Sequence, residues 1–329
     1  MSLVGNTPMI KINYKYENEE KYVYAKLEYY NLTGSIKDRI AYYIIENAIK
    51  RNELKKDMPI IEATSGNTGI ALASIGARLK HPVYIFMPDW VSMERIKIMQ
   101  MYGAKVFLVS KEDGGFVECL SRASRMAKET NGFLVDQFSN KDNFKAHYET
   151  TGKEIIEDIK EEIGAFVSGV GTGGTLMGCG LRIKDKYKNS KIIAIEPEKM
   201  PLISDGEIKG DHKIEGIGDE FVPELLHKDK VDGIYLIDDD DAINMSRKLA
   251  KELGLGVGIS SGANLIGAIL QERTNTNSVV TVFPDDNKKY LSTDLSKKGN
   301  DNPNYISNKI TLLNLKLVNN WHSRKLNVK

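Results

Sequence analysis

Long apolar runs are missing from the sequence: no uninterrupted stretch reaches the roughly 18 residues that a membrane-crossing helix needs. Met1 opens straight into LVGNTPMI, with no basic and then apolar leader. A membrane partner is therefore not expected, and a cytoplasmic location is. Cysteine is scarce as well. Cys119 and Cys179 each stand alone, which excludes a disulfide framework and a CxxC metal pair and leaves both as packing thiols. The five histidines are scattered, none with a second histidine at helical spacing, so no metal site is expected. Neither sign of charge is in excess, with 46 Lys plus Arg against 45 Asp plus Glu. No net field draws the chain to nucleic acid or an anionic membrane, and a small molecule is the expected partner.

What is present is a folded composition, 41% hydrophobic over 329 residues, long enough for two packed domains with a cleft between them. Short β-branched runs recur at 60–63, 83–87, 105–109, 133–137, 165–170, 191–195, 233–237 and 278–283, separated by stretches of helical period. That rhythm predicts an α/β fold with mainly parallel, buried sheets and ligands beyond the carboxyl ends of the strands. Three glycine-rich turns fall where such ligands bind: ATSGNTG after 60–63, SGVGTGG after 165–170, and GISSGAN at 258–264. From about Gly299 the chain turns polar, then gives ITLLNLKLV and a basic end; a packing arm or partly disordered extension is expected.

The backbone N–H groups of Gly171, Thr172, Gly173, Gly174 and Thr175 would meet a helix start, an arrangement that binds phosphate. Gly169, Gly171 and Gly174 also spell GxGxxG, with Glu196 about where a ribose-binding acid belongs, so a nicotinamide cofactor is a rival for this stretch. Lys37, in NLTGSIKDRIAYYIIENAIK, sits at a helix start set by the apolar stripe Ile36, Ile40, Ile44 and Ala48. The helix dipole disfavours a lysine there, which points to a functional reason. A solvated lysine paired with Asp38 is the plain alternative.

GNTP at 5–8, KLE at 26–28, GSIKDR at 34–39, TSGNTGIALA at 64–73, DQFSN at 136–140, GTGGTLMG at 171–178, IEP at 195–197, HKIEGIG at 212–218, GISSGAN at 258–264 and YLST at 290–293 run in order along the chain. Together they resemble the cysteine synthase and cystathionine β-synthase family of fold-type II pyridoxal-phosphate enzymes. The resemblance implies a two-domain α/β fold of the tryptophan synthase β type, with the site in the interdomain cleft. Residues 38–147 are expected to form a smaller domain, 1–37 with 148–298 the larger cofactor-binding one, and 299–329 a tail.

By the same resemblance Lys37 holds pyridoxal 5'-phosphate as a Schiff base and moves the Cα proton, and the loop at 171–175 takes the cofactor phosphate. Asn67 would hydrogen-bond the ring oxygen and border the substrate, while Thr64, Ser65, Thr68 and Gln137 would hold the substrate carboxylate, with Ser65 counted among the catalytic residues beside Lys37 and Asp219. Ser260 would face the pyridine nitrogen. A hydroxyl there makes the cofactor a weaker electron sink than a carboxylate would, favouring loss of a β-substituent over transamination; a helix cap is its plainer role. The implied reaction is β-replacement or β-elimination on a small L-amino acid through an aminoacrylate, by a homodimer.

One loop departs from the O-acetylserine-using relatives. Where they read GIGAGF, this chain has Gly216-Ile217-Gly218-Asp219-Glu220-Phe221. A carboxylate near Cβ would repel hydrosulfide and could activate water or a neutral thiol. Asp219 is thus expected to be a general base, with L-cysteine or L-serine as donor and hydrogen sulfide as a product; solvated loop acids are the plainer reading. An O-acetylserine sulfhydrylase is the main alternative, with a serine/threonine dehydratase, a nicotinamide dehydrogenase and a non-catalytic binding protein behind it. The turn Asp89-Trp90-Val91 has no account from sequence.

Overall fold

The computed structural model describes residues 3–274, 277–300 and 302–319. In chain order it contains strands β1 (Met9–Tyr16) and β2 (Glu19–Leu27), helix α1 (Lys37–Lys50), β3 (Ile60–Ala63), α2 (Asn67–Leu79), β4 (Val83–Pro88), α3 (Met93–Met101), β5 (Lys105–Val109), α4 (Gly115–Thr130) and β6 (Phe133–Leu134). There follow α5 (Lys141–Ala146), a π-helical turn (His147–Thr151), α6 (Gly152–Asp158), β7 (Ile163–Gly169), α7 (Gly174–Lys186), β8 (Lys191–Pro197), β9 (Gly233–Ile237), α8 (Asp239–Leu253), α9 (Ile259–Glu272), β10 (Ser278–Phe283) and β11 (Ile310–Leu317).

The strands form two sheets, one of seven in the order β11-β1-β2-β10-β7-β8-β9 and one of four in the order β5-β4-β3-β6. The smaller sheet is wholly parallel, as is the larger one from β2 to β9. Helices cover both faces of such strands, so their sequences are mostly apolar: every residue of β3 and of β10 is buried, Glu62 and Thr281 included. β1 behaves differently. Its apolar and polar residues alternate, one face goes to the core, and it pairs antiparallel with β2 and β11.

Two expectations are corrected. The run 133–137 is a strand only at Phe133–Leu134, because Asp136 takes φ +52° and turns the chain out of the sheet. Of the two readings of the tail, the packing arm holds for residues 310–317, and the extension gives way to a strand there. Residues 310–317 add a strand to the open side of β1, registered from Tyr16 opposite Ile310 to Ile10 opposite Leu317, with Ile310 and Leu312 buried. The basic end of the tail lies outside the described residues.

Because the parallel strands run one way in each sheet, their carboxyl ends deliver the loops after β3, β4, β7, β8 and β10 to a shared cleft. Among the described residues no helix is long and apolar enough to cross a membrane.

Candidate active site

Lys37 is delivered to the cleft by stitching between distant segments. Gly34 takes φ +80°, Ser35 bridges Asp285, and Ile36 N–H donates to the Pro284 carbonyl at 2.8 Å, tying the turn to the end of β10. Ser35 Oγ then accepts the Lys37 N–H at 3.2 Å and starts α1. The four residues of the predicted stripe are buried, and Lys37, in the first turn of the same helix, is half-buried where the helix meets the cleft. Asp38 is no partner to it: its carboxylate accepts the N–H and hydroxyl of Thr33 at 2.8 and 2.7 Å. Among the described residues Lys37 Nζ has no ion pair or hydrogen bond. Burial lowers its pKa, opposed by the carboxylates of Asp219 and Asp285. An amine that sheds its proton more readily than an ordinary lysine suits both covalent capture of a carbonyl and proton transfer.

Two residues beyond, Arg39 anchors the same helix. Its guanidinium reaches Glu28 at 2.6 and 2.8 Å and Glu154 at 2.7 and 2.8 Å, all buried. Lys26, fully buried, adds a second cation at 3.0 Å from Glu154. The paired cations hold the Glu154 carboxyl far below the usual range.

Thr172 and Thr175 lie where β7 gives way to α7 and border one inner cavity with Lys37, Asn67 and Ser260. Thr172 Oγ1 accepts the Asn143 amide at 3.0 Å and the Gly174 N–H at 3.3 Å. With both lone pairs engaged, its own proton is left to donate into the cavity. Glycine is required around it. A Cβ on Gly171 would stand 2.5 Å from the Gly216 carbonyl oxygen, and one on Gly173, whose φ is +82°, 2.9 Å from the Leu226 nitrogen. Loop, hydroxyl and helix start make a cradle for an anion.

A second inner cavity shares Lys37, Asn67 and Thr172 with the first and is bordered by Thr64, Ser65, Thr68, Gln137 and Asp219. Thr68 donates to Gln137 Oε1 at 2.6 Å, and Gln137 Nε2 to the Ala63 carbonyl at 3.1 Å. Asn67 Nδ2 donates to Asp285 at 2.8 Å, whereas its Oδ1 is buried without a partner. Ser260 is buried in the first turn of α9, and Gly258 is the cap residue, so the helix-cap role proposed from sequence falls to Gly258. Asn264, one turn on, was not singled out from sequence. It accepts the Gly169 N–H and donates to the Val282 carbonyl, both at 2.8 Å, fixing two strand ends that border the cavity.

Asp219 belongs to the long loop between β8 and β9. Gly218 N–H to the Val170 carbonyl at 2.9 Å and His212 Nε2 with the Gly218 carbonyl at 2.8 Å hold that loop over the phosphate turn. Burial pushes the Asp219 carboxyl up to about 6; Lys37 pulls it down and Glu220 raises it further. Glu220 itself is exposed. Beyond Asp219 the cleft widens into a cavity of about 550 Å³ bordered by Ser65, Trp90, Val91, Lys111, Phe116 and Glu220 among others. Trp90, unexplained in sequence, forms part of that wall, with Lys111 Nζ 5.3 Å from its ring centre.

Glu196 does not border this cavity. Its carboxylate accepts the N–H groups of Ile203 and Ser204 at 2.6 and 2.9 Å, so it caps a turn, and the nicotinamide reading loses its ribose ligand. Cys119 and Cys179 are buried away from the cleft, where burial pushes the Cys119 thiol up to about 12.

An anion cradle, an unpaired lysine of lowered pKa, a half-satisfied amide at Asn67 and a hydroxyl at Ser260 surround one volume. That donor set fits pyridoxal phosphate, whose phosphate, aldehyde, ring oxygen and ring nitrogen need one partner each.

Residues 1–285 match the family model described as pyridoxal-phosphate dependent enzyme. A hydrogen sulfide-producing enzyme from Fusobacterium nucleatum is 50% identical, with a TM-score of 0.92 over 96% of this chain and 97% of that one. A variant of that enzyme has been captured with an α-aminoacrylate intermediate. Cysteine synthase B of Campylobacter jejuni is 41% identical over 89% of this chain and 96% of its own length. The cysteine synthase of Entamoeba histolytica is 38% identical, with a TM-score of 0.83 over 91% and 90% of the two chains. The chain belongs to the pyridoxal-phosphate dependent enzymes, and within them to the cysteine synthase family.

Proposed function

We propose that this enzyme consumes L-cysteine, or L-serine, releasing hydrogen sulfide from cysteine and adding water or a thiol at Cβ. Bound in the inner cavity, pyridoxal phosphate supplies a sink for the electron pair left at Cα when its proton departs. The rest is the work of the chain. Lys37 anchors the cofactor and carries the Cα proton. The loop 171–175 holds the phosphate, Asn67 the ring oxygen, and Ser260 the ring nitrogen. Thr64, Ser65, Thr68 and Gln137 orient the substrate carboxylate at the start of α2, Ser65 standing nearest the route to the open cleft. Asp219 takes the proton of the incoming water or thiol.

The observation that carries this reading is Asp219 itself, a carboxylate bordering the same cavity as Lys37 with a pKa of about 6. A carboxylate there disfavours hydrosulfide as a nucleophile and suits deprotonation of a neutral one. The relative from Fusobacterium nucleatum, which produces hydrogen sulfide, supports the same direction.

The test is to incubate the protein with pyridoxal phosphate and L-cysteine, and in parallel with O-acetylserine and sulfide, and to identify products by mass spectrometry. Sulfide with serine or a thioether amino acid from the first reaction is expected. Efficient cysteine formation confined to the second would make the protein a cysteine synthase in the narrow sense. Lys37→Ala is expected to abolish turnover while still binding cofactor that borohydride no longer fixes to the chain; an active variant would refute the assignment.

We extend the proposal to the boundaries: residues 38–147 as the smaller domain and 1–37 with 148–298 as the larger, the cofactor seated between them. A cytoplasmic homodimer is the form in which the enzyme would work, and light scattering of the purified protein tests the pairing.

A further inference from the structure

Behind the phosphate cradle lies a second layer of buried polar groups that no part of the reaction uses. Asn143 and His147, four residues apart, face the cradle from α5 and the π-helical turn, and both are fully buried, as is Thr151. Asn143 Nδ2 donates to Thr172 Oγ1 at 3.0 Å and to the Gln137 carbonyl at 2.7 Å. His147 Nε2 lies 3.1 Å from Thr175 Oγ1, and its Nδ1 3.0 Å from Thr151 Oγ1.

This is the one π-helical turn among the described residues, and such turns are strained insertions that often accompany functional sites. It is pressed hard against α7: a Cβ on Gly178 would meet His147 Cβ and the Phe144 carbonyl oxygen, each at 2.6 Å. The extra residue in the turn sets His147 and Thr151 together behind Thr175.

We infer that His147 is a positioning residue for the cofactor phosphate. It holds Nε2–H as a donor to Thr175 Oγ1 and Nδ1 as the acceptor of the Thr151 hydroxyl, so that Thr175 must point its proton at the phosphate. Asn143 does the same for Thr172. Both threonine hydroxyls then donate into the cradle, and neither can rotate to present a lone pair to a dianion. The imidazole has to be neutral for Nδ1 to accept. Burial, with Lys37 and Arg39 nearby, keeps its pKa well below the ordinary histidine value.

This inference rests on the loop 171–175 holding the phosphate, so the experiment separates the two. The holoenzyme's bound phosphate is read by 31P NMR, and cofactor affinity by fluorescence titration, in five proteins: wild type, His147→Phe, His147→Gln, Thr151→Val and Thr175→Val. His147→Phe and Thr151→Val are expected to move the 31P resonance and to weaken cofactor binding roughly tenfold, the scale of one lost hydrogen bond to a charged network. His147→Gln, whose amide can replace the Nε2–H donor, should restore most of both. Thr151→Val is nearly isosteric and keeps the test open should His147→Phe fold poorly. A moved resonance in Thr175→Val with none in Thr151→Val or His147→Phe would overturn the positioning role and leave the cradle standing. An unmoved resonance in Thr175→Val as well would overturn the cradle itself.

Discussion

Asp219 shows how a single side chain joins chemistry to stability. In its proposed role as base it must be deprotonated to act, so with burial raising its pKa to about 6, the rate of sulfide release coupled to replacement should climb as pH rises through about 6 and level off above. Asp219→Asn is expected to lower that rate about 100-fold, a typical worth of general base catalysis, and to erase the inflection. A stopped-flow pH profile with L-cysteine checks both, and an unchanged profile would reduce Asp219 to a loop acid. The same shift has a sign for stability. A carboxyl whose pKa is raised in the fold favours folding fully below its unfolded value near 4, and that contribution is lost as pH rises through 6. The asparagine variant should therefore gain thermal stability over the wild type above pH 6 and lose that advantage near pH 4. Lys37 and the cradle glycines were legible because their motifs are contiguous. Asn143, His147, Asn264 and Arg39 were not, since each matters through a partner that folding brings near: Thr172, Thr175, Gly169 and Glu154.

Among the elements, strands of the parallel sheets announced themselves as short β-branched runs, whether buried throughout like β3 and β10 or partly exposed like β5 and β9, and β3, β4, β5, β8, β9 and β10 lie where the sequence placed them. β1 and β11 were missed because an antiparallel strand with one solvated face carries only alternate apolar residues, and half of that signal is lost among Lys, Asn and Tyr. Their pairing has a consequence beyond the sheet. Just past β11, Asn319 accepts the Met9 N–H at 3.2 Å and donates to the Thr7 carbonyl at 3.1 Å and to Asp158 at 3.0 Å. Asp158 also faces the buried Lys26, so the C-terminal segment completes the charge cluster that anchors α1 through Arg39 and Glu154. Asn319→Ala strips Met9 of its acceptor and takes one donor from Asp158. A loss of about 1–3 kcal/mol in chemical denaturation is expected, the usual cost of leaving buried polar groups short of partners. A loss within a few tenths would mean that water replaces the amide.

The two sheets meet across the cleft through charges of very different worth. Lys111 and Asp211 pair at 2.6 Å, but both are largely exposed, and such pairs contribute little. Arg95 of α3 is buried. It pairs with Glu215 from the loop that carries Asp219, donates to Ser92 at 3.0 Å and lies 4.6 Å from the Tyr290 ring centre. Its stem also fills the space under Gly66, where a Cβ would stand 2.1 Å from Arg95 Cδ, so one side chain touches both the turn at 65–67 and the loop that carries Asp219. No contiguous motif could reveal this, because Arg95 and Glu215 are 120 residues apart. Arg95→Met should cost about 3–5 kcal/mol, because it strands a partly buried carboxylate. Arg95→Met with Glu215→Met should cost less than the sum of the two single changes by at least about 1 kcal/mol. Kinetics then separate linkage from bulk stability. With the link cut, KM for L-cysteine should rise in each single variant, even well below its melting temperature, since the substrate turn and the Asp219 loop no longer move as one. Additive stabilities with an unchanged KM would show that the two loops are held in place independently.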